Sequence, residues 1–400
     1  MLAGKTITLG VTGGIAAFKV AQLASNLKAA GAEVHVVMTR SAQEFVRPLT
    51  FQVLTDNRVY TDLFDRASSW NVQHVELATQ SDLIVVVPAT ANIIAKAAVG
   101  LADDLLSTVI TAAVCPVLFC PAMNKNMYEN PIVQRNLTVL RELGYHFVEP
   151  GRGRLACGVE GIGRLAEIEA IQENIEVLLA SDKDLSGMSV LVTAGPTVEP
   201  IDPVRYLTNR SSGKMGYAVA GAALRRGARV ILVSGPTALK PPHGVEFIGV
   251  QTAREMFDAV LAQYPHVDVV VKSAAVADYR PKEAAQHKIK KSQDEMTIEL
   301  EKNPDILAEL GRRKTRQLLV GFAAETKELE KNALRKLEMK NLDLLVANDV
   351  TRPGAEFGSD TNIVKLVYPG QVVVQLPKMD KKTLADRILD EVLNLRASGQ

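Results

Sequence analysis

The strongest constraint on the fold is that short β-branched apolar runs alternate with helical patterns in both halves of the chain. The runs cover 6–12, 34–38, 74–78, 83–87 and 116–120, and then 189–193, 229–233, 267–271, 317–322 and 343–347. Strands separated by crossover helices pair in parallel, because each helix returns the chain to the same edge of the sheet. The sequence therefore predicts an α/β protein with two doubly wound, Rossmann-like domains and mostly parallel sheets.

The length of the chain supports this division. Single hydrophobic cores stop growing at about 250–300 residues, and this chain has 400 residues. The segment SDKDLSG at 181–187 is polar and ends in glycine, as boundaries between domains often do. We predict a first domain at 1–180, a linker at 181–188 and a second domain at 189–400.

Composition excludes several classes of partner. Lys and Arg total 46 against 45 Asp and Glu, so no overall charge attracts nucleic acid or an anionic membrane. The apolar run at 7–14 is broken by glycines, which is typical of neither a signal peptide nor a membrane span. Cys115, Cys120 and Cys157 are too few for a disulfide framework and lack metal-ligand spacing. We expect a cytoplasmic protein.

The first half opens with a glycine turn suited to an anion. Gly13 and Gly14 follow the first strand in VTGGIAAFK (11–19), where a helix start presents free N–H groups. A tight turn without a ligand is the alternative. The motif is not GxGxxG, and Thr39-Arg40-Ser41 stands where dinucleotide binders place an acidic residue. Hydroxyls and a cation suit a phosphate monoester, which favours a mononucleotide such as FMN.

Further polar groups follow other predicted strands, where an open sheet places its ligand site. They are His74 in HVELA, Thr90 and Asn92 in VPATANIIAK, Ser107, and Asn124 in PAMNKNM. The glycine-rich segment GRGRLACGVEGIGRL at 151–165 predicts a lid that brings Cys157 over a substrate. The alternatives are that His74 is structural and that Cys157 is a small buried residue.

In this order, TGGIAAFK, HVELA, PATAN, PAMNKNM and the lid cysteine resemble the phosphopantothenoylcysteine decarboxylases, homo-oligomeric flavin enzymes. The resemblance implies that His74 is the base, that Asn124 holds the substrate carboxylate and that Cys157 is the acid. It also implies an FMN site formed by Gly13, Gly14, Ile15, Thr39, Thr90, Asn92 and Ser107. Phe18 stands where tyrosine is common in the family, and we expect it to pack on a helix face.

The implied chemistry explains these residue types. A carboxyl group leaves readily only if the remaining electron pair has a sink, and oxidation of the neighbouring thiol to a thioaldehyde by FMN provides one. His74 would assist proton removal, and Cys157 would protonate the enethiol as it is reduced. Oxidation and reduction balance, so no external redox cofactor is consumed.

The second half contains a different set of motifs. They are VTAGPTVEPIDPVRYLTNRSSGKMG at 192–216, VKSAAVADYRP at 271–281, KIKK at 288–291, NPDIL at 303–307, VGFAAET at 320–326, and Lys336 with Lys340. Lys336 and Lys340 are spaced i, i+4, where like charges are unfavourable without an anion. Aromatic residues are only 5% of the chain, so one nucleoside triphosphate is a better partner than nucleic acid.

From about 188 to 375 the chain resembles the bacterial phosphopantothenate–cysteine ligases. The resemblance implies that CTP converts 4′-phosphopantothenate into an acyl-cytidylate and pyrophosphate, and that cysteine then forms the amide. It places Asn209 and Lys288 in catalysis, with Asn209 polarising the acyl-cytidylate. The implied CTP site comprises Asp278, Lys288, Pro304, Asp305, Ile306, Leu307, Phe322, Lys336 and Lys340. We expect Mg²⁺ with the triphosphate, although its protein ligands are undefined.

The two implied activities are consecutive, because the ligase product is the substrate of the decarboxylase. The family resemblance implies trimeric decarboxylase units joined by ligase dimers, as in a dodecamer, with His74 and Asn124 coming from neighbouring subunits. Two alternatives stay open. A flavin-binding regulatory protein would lack the Asn124 or Cys157 motif, and an NADP-linked oxidoreductase would leave the Lys288 region unexplained.

Overall fold

The computed structural model describes residues 2–64, 73–154, 158, 160–180, 182–290, 296–325, 329–349, 356, 358–370 and 372–398. The chain forms two compact units, Met1–Ser181 and Asp182–Gln400. Each unit has its own main sheet, and each has buried apolar residues on both faces of that sheet.

The first unit alternates strands and helices. Its strands are β1 Thr6–Val11, β2 Glu33–Met38, β3 Val59–Tyr60, β4 Leu83–Ala89, β5 Val117–Pro121, β6 His146–Phe147, β7 Gly151–Arg154 and β8 Glu160–Arg164. Its helices are α1 Ala17–Ala29, α2 Pro48–Thr55, α3 Gln73–Gln80, α4 Ala91–Val99, α5 Leu105–Ala112, α6 Lys125–Tyr128, α7 Pro131–Glu142 and α8 Ile168–Leu179. A 3₁₀ helix covers Arg40–Glu44.

The main sheet of this unit has the strand order β3-β2-β1-β4-β5-β6, with parallel pairings. Every residue of β4 is buried, because helices cover both faces of the sheet. Val85 faces the core that contains α1 and α8, and Val86 faces the core that contains α4 and α5. The chain order reverses between β1 and β4, and this switch point is where open sheets of this kind bind ligands.

The expected strand at 74–78 was wrong, because these residues belong to α3. Gln73, Leu77 and Ala78 are buried in this helix, which is the spacing of one helical face. Val75, the β-branched residue of the run, is 45% exposed. A short apolar run can thus belong to a helix as readily as to a strand.

The second unit repeats the same type of alternation. Its strands are β9 Ser189–Ala194, β10 Val198–Pro200, β11 Tyr206–Thr208, β12 Arg229–Ser234, β13 Glu246–Gly249, β14 Val269–Lys272, β15 Tyr279–Pro281, β16 Leu300–Lys302, β17 Leu318–Glu325, β18 Leu344–Asp349, β19 Thr361–Asn362, β20 Val364–Val367, β21 Val373–Gln375 and β22 Met379–Asp380. Its helices are α9 Lys214–Arg225, α10 Ala253–Gln263, α11 Ile306–Arg313, α12 Leu329–Met339 and α13 Lys381–Ser398, with a 3₁₀ helix at Tyr264–His266.

The main sheet of the second unit has the order β13-β12-β9-β14-β17-β18-β20-β21. Pairings from β13 to β18 are parallel, and β20 and β21 add antiparallel strands at one edge. The switch point lies between β9 and β14. Together the two sheets confirm the predicted fold class of mostly parallel, doubly wound α/β units.

The segment expected to be a linker is largely part of the second unit. Leu185 and Met188 are buried in its core, and Asp184 forms an ion pair of 2.6 Å with Arg226. Polar composition alone therefore did not reveal that this segment packs. Among the residues that the structure describes, no helix is long and apolar enough to cross a membrane.

Candidate functional site

A cavity of about 520 Å³ lies at the switch point of the first unit. It is formed where the chain leaves the carboxyl ends of β1, β4 and β5, together with β8 and the residue after it. Its walls are Gly13, Gly14, Ile15, Ala16, Phe18, Lys19, Thr90, Ala91, Ala122, Met123, Asn124, Met127, Gly163, Arg164 and Leu165. Most of these side chains are apolar, so the cavity suits a largely flat, apolar ligand with a few polar groups.

The turn after β1 is shaped to receive an anion. A Cβ on Gly13 would lie 2.3 Å from the Cβ of Ser41, so only glycine lets the 3₁₀ helix that follows β2 approach this turn. No hydrogen-bond acceptor is found in the described residues for the N–H groups of Ile15 and Ala16, and no side chain caps α1. These N–H groups therefore form an anion seat at a helix start.

Two contacts hold the loops around this turn in place. The Thr12 hydroxyl donates to the Pro88 carbonyl at 2.6 Å and lies 3.2 Å from the Thr90 hydroxyl, which ties the first turn to the PATAN segment. The Met123 N–H donates to the carbonyl of Gly163 at 2.9 Å. The cavity walls are thus joined by one threonine hydroxyl and by one backbone–backbone hydrogen bond.

The structure brings only some of the predicted flavin-site residues together. Gly13, Gly14, Ile15, Thr90 and Asn124 line the cavity. Asn124 also caps α6, because its side-chain oxygen accepts from the Asn126 N–H at 2.8 Å, and this contact fixes its orientation at the wall.

Four other predicted residues of the first unit do not line the cavity. The side chain of Thr39 caps the 3₁₀ helix by accepting from the Ala42 N–H at 3.3 Å, and Asn92 is exposed on α4. Ser107 is buried in a capping box with Asp104 at the start of α5. His74 is partly buried on α3, and Cys157 lies outside the described residues.

Sequence reasoning did not identify ten of the cavity residues, among them Phe18, Lys19, Met127 and Arg164. The expectation that Phe18 packs on a helix face was wrong, since it is 59% exposed and forms part of the cavity wall. Phe18, Lys19 and Met127 lie within the recognised motifs. A helix that starts at a ligand site presents its first turn to the ligand, and this signal could have identified Phe18 and Lys19.

A second cavity, of about 380 Å³, lies at the carboxyl end of β14 in the second unit. It is lined by Lys272, Val276, Ala277, Asp278, Tyr279, Lys302, Asn303, Pro304, Asp305, Ile306, Leu307 and Lys340. In contrast to the first cavity, it carries several charged side chains. Its lysines suit a polyanionic ligand, and its acidic groups separate those lysines from one another.

Asn303 connects the two segments that form most of this cavity. Its side-chain amide donates to the Ala277 carbonyl at 2.9 Å, and its backbone N–H donates to the Asp278 carbonyl at 2.9 Å. Arg280 donates to the Asn303 side-chain oxygen at 3.0 Å. The NPDIL segment is therefore held against the end of VKSAAVADYRP.

The electrostatics of the second cavity centre on Lys272, the last residue of β14. Burial, with repulsion from Lys340 and Lys336, lowers the pKa of Lys272 to about 8, although Asp305 and Asp278 act in the opposite direction. The Lys272 ammonium donates to the Ala274 carbonyl at 2.9 Å. This lysine was not predicted as a site residue, although it ends the strand pattern at the sheet edge where ligands bind.

Lys340 is held by Asp305 at 2.8 Å. Burial raises the pKa of Asp305, but the contacts with Lys340 and with the Ala308 N–H outweigh it, and the pKa is below its usual range. A Cβ on Gly311 would lie 2.0 Å from the Lys340 carbonyl, so glycine lets α11 approach the end of α12. The unfavourable i, i+4 pair is therefore partly compensated by Asp305.

Among the predicted CTP residues, Asp278, Pro304, Asp305, Ile306, Leu307 and Lys340 line this cavity, and Lys288, Phe322 and Lys336 do not. Lys336 acts on Lys272 through its charge, and Phe322 is partly buried beside the core of the unit. Lys288 is exposed and is not part of the cavity wall. Asn209 lies at the cavity rim, where its amide donates to the Val276 carbonyl at 3.0 Å.

Comparisons with known proteins cover the whole chain. Residues 1–180 match the family model described as Flavoprotein, and residues 185–395 match the DNA/pantothenate metabolism flavoprotein C-terminal domain. The chain is 51% identical over 398 residues to the coenzyme A biosynthesis bifunctional protein CoaBC of Bacillus subtilis, covering 99% of this chain and 98% of that protein.

A second relative that matches over nearly its full length carries the same name. The CoaBC protein of Escherichia coli K12 is 44% identical over 396 residues, covering 98% of this chain and 97% of that protein. A crystal structure of the C-terminal domain of a CoaBC protein has 47% identity and a TM-score of 0.47, covering 55% of this chain and 100% of that chain. The chain belongs to the family of bifunctional coenzyme A biosynthesis proteins, with a flavoprotein decarboxylase unit followed by a phosphopantothenate–cysteine ligase unit.

Proposed function

We propose that the second unit joins cysteine to 4′-phosphopantothenate with CTP, and that the first unit decarboxylates the product to 4′-phosphopantetheine with FMN. The observation that supports this most directly is the position and chemistry of the two cavities. Each lies beside the switch point of its sheet, and each is lined by residues of the motif set that implied its activity.

The first cavity fits FMN on two counts. The N–H groups of Ile15 and Ala16 suit the phosphate, and the exposed apolar side chains of Ile15 and Phe18 suit a ring system. When bound, FMN supplies the reversible two-electron oxidation and reduction that decarboxylation of a cysteine amide requires.

In this proposal the side chains of the first unit hold the substrate and move protons. The amide of Asn124 binds the substrate carboxylate at the cavity wall, since its own oxygen is fixed by the Asn126 N–H. His74 takes up a proton, and Cys157 returns one. Because His74 does not line the cavity of its own chain, we propose that His74 of the partner subunit completes the site in a homo-oligomer.

In the second unit, the cavity lysines bind the triphosphate of CTP, with Mg²⁺ neutralising the remaining charge. The carboxylate of 4′-phosphopantothenate attacks the α-phosphorus, which forms the acyl-cytidylate and releases pyrophosphate. The cysteine amine then attacks the acyl carbon, which forms the amide and releases CMP. Asn209, held at the cavity rim by Val276, polarises the acyl group, and Lys288 balances negative charge. Both reactions use cytoplasmic metabolites, so we place the enzyme in the cytoplasm.

Matched variants test the two halves independently. The purified protein should carry a flavin absorbance spectrum, and it should release pyrophosphate from CTP only when 4′-phosphopantothenate is present. Asn124→Ala should abolish release of carbon dioxide from phosphopantothenoylcysteine and leave pyrophosphate release unchanged. Asn209→Ala should leave carbon dioxide release from phosphopantothenoylcysteine unchanged and should abolish formation of the amide and CMP, so that the acyl-cytidylate accumulates.

Each of the other outcomes points to a different error. Colourless protein would contradict the flavin site, and pyrophosphate release without 4′-phosphopantothenate would contradict the ligase mechanism. Flavin binding without either reaction would support a regulatory protein. Oxidation of NADPH would support an oxidoreductase.

A further inference from the structure

The segment that carries Lys288 is attached to the second unit at defined points. It follows β15 and runs over the turn between β10 and β11. The Ala285 N–H donates to the Ile201 carbonyl at 2.9 Å, and Arg205 Nη2 donates to the Ile289 carbonyl at 2.6 Å. The Ile289 N–H donates to Asp202 Oδ2 at 3.1 Å. Both backbone groups of the residue after Lys288 are therefore engaged by one turn.

Asp202 is preorganised for this contact. Its side chain is fully buried, its Oδ1 accepts from the N–H groups of Val204 and Arg205 at 2.8 Å each, and its Oδ2 accepts from Arg205 Nε at 3.0 Å. Burial opposes ionisation, but these donors and the Ile289 N–H outweigh it and lower the pKa of Asp202 to about 2. The carboxylate is thus charged, and the Val204 and Arg205 donors of its own turn hold its orientation toward Ile289.

The β10–β11 hairpin that carries Asp202 is fixed to the body of the unit. Glu199 accepts from the Ala253 N–H at 2.9 Å in a buried contact at the start of α10. The Thr197 carbonyl, just before β10, accepts from the Thr208 hydroxyl at 2.7 Å. Asn209 follows directly after β11. One rigid hairpin therefore ends at Asn209 and holds the neighbour of Lys288 at its turn.

We propose that Asp202 and Arg205 are positioning residues of the ligase, which latch Ile289 and so hold Lys288 in register with Asn209 over the nucleotide cavity. This inference rests on the proposed function, because it requires Lys288 to act on the bound nucleotide. Lys288 is itself exposed, so its backbone attachment defines where a long, flexible side chain begins. Without the latch, the Lys288 side chain keeps its charge but no longer starts from a fixed point on the backbone.

Asp202→Asn tests the latch. In the variant, an NH₂ group replaces one of the two carboxylate oxygens and faces N–H donors instead of accepting from them. Either the Ile289 N–H or the N–H groups of Val204 and Arg205 then lose their acceptor. We expect kcat/KM for CTP to fall about tenfold, the scale of one charge-assisted hydrogen bond. Limited proteolysis should cleave the variant faster within 285–290, and release of carbon dioxide by the first unit should be unchanged.

Asp268→Asn is the matched control. Asp268 also accepts from a backbone N–H, that of Ser189 at 2.9 Å, and from Arg316 at 2.6 Å, but it precedes the amino end of β14. Its loss should lower the unfolding temperature of the second unit without changing kcat/KM for CTP. An equal loss of kcat/KM in both variants would overturn the proposal, because it would show a general effect of destabilisation.

A double-mutant cycle separates positioning from a structural role. In a Lys288→Ala background, Asp202→Asn should cause little further loss of kcat/KM, since the residue that it positions is already absent. Independent, multiplicative losses would overturn the latch. If Asp202→Asn does not fold, Arg205→Lys decides: it retains a cation beside Asp202 but lacks the second nitrogen that reaches the Ile289 carbonyl, and unchanged kcat/KM would refute the proposal.

The ligase assignment and the latch fail in different ways. Absence of CTP-dependent pyrophosphate release from the unaltered protein would contradict the proposed function itself. Normal release by the unaltered protein, with equal kcat/KM in Asp202→Asn, would contradict the latch alone.

Discussion

Lys272 should make the second unit less stable at neutral pH than a neutral side chain would. In the folded protein, burial lowers its pKa to about 8, with Lys340 adding repulsion. In the unfolded chain the ordinary pKa is 10.5. The charged form is therefore disfavoured by folding, and Lys272→Met removes that unfavourable contribution.

The magnitude follows from the two pKa values. A fall from 10.5 to about 8 corresponds to about 3 kcal/mol, and we expect ~2–3 kcal/mol because the lysine is not completely shielded from water. The unfolded state binds more protons between pH 8 and 10.5, so the free energy of unfolding rises with pH in this window. The destabilisation is complete below pH 8 and is relieved as the pH approaches 10.5.

Differential scanning calorimetry of the full chain can measure this effect. The transition that shifts with CTP identifies the second unit. At pH 7, Lys272→Met should raise that transition by about 5–10 °C, given about 2–4 °C per kcal/mol for a unit of this size. The difference from the unaltered protein should shrink by pH 10. Lys240→Met, at an exposed position outside the cavity wall, is the matched control and should show no such change.

The affinity for CTP should depend on pH in the opposite direction to the free energy of unfolding. A bound triphosphate favours the charged lysine, so affinity for CTP should fall as the pH rises through about 8 in the unaltered protein and lose this step in Lys272→Met. A stability difference that is constant between pH 7 and 10 would refute the reasoning. So would a variant that is less stable than the unaltered protein at pH 7.

Three other substitutions test particular contacts. Gly163→Ala would place a Cβ 2.3 Å from the Met123 carbonyl oxygen, at a φ of +130°. Because Gly163 lines the first cavity, we expect less flavin absorbance per polypeptide after gel filtration, and full retention of the flavin would contradict this. Gly311→Ala would place a Cβ 2.0 Å from the Lys340 carbonyl, so steady-state assays should show a several-fold higher KM for CTP, and an unchanged KM would show that α11 can shift freely. Phe51→Ala removes a fully buried side chain and should lower the stability of the first unit by about 3–5 kcal/mol, with the calorimetric transition that CTP shifts unaffected.

The sequence was sufficient for most of the fold because buried parallel strands have a strong local signature. The runs at 83–87 and 189–193 consist largely of branched apolar residues, and both form central strands of their sheets. HVELA at 74–78 has no such signature, since a five-residue apolar pattern fits a helix face equally well. The packing of α3 against α5 selects the helix over the strand, and this contact joins segments that are distant in sequence.

The candidate sites were predictable where a motif follows a strand directly. Gly14 and Asp278 lie just beyond strand ends in their motifs, and both line cavities. Ser107 was predicted as a site residue but does not line the cavity. A serine near an acidic residue at a helix start can form a capping box as readily as a ligand site, and Ser107 forms a capping box with Asp104. The role of Lys272 depends on burial and on charges from α12, which no local pattern contains.

We expect the two units to bind different kinds of ligand beside the switch point of the same type of sheet. In the first, β1 leads into a glycine turn after which the Ile15 and Ala16 N–H groups suit an anion, and most of the cavity wall is apolar. In the second, β14 ends in a lysine, and its charge requires acidic neighbours such as Asp305 when no ligand is bound. A flavin needs apolar contact along its ring system, whereas a triphosphate needs cations that remain separated in its absence. The groups beside the two switch points therefore favour different ligands, namely backbone N–H groups beside an apolar wall in the first unit and lysines with acidic neighbours in the second.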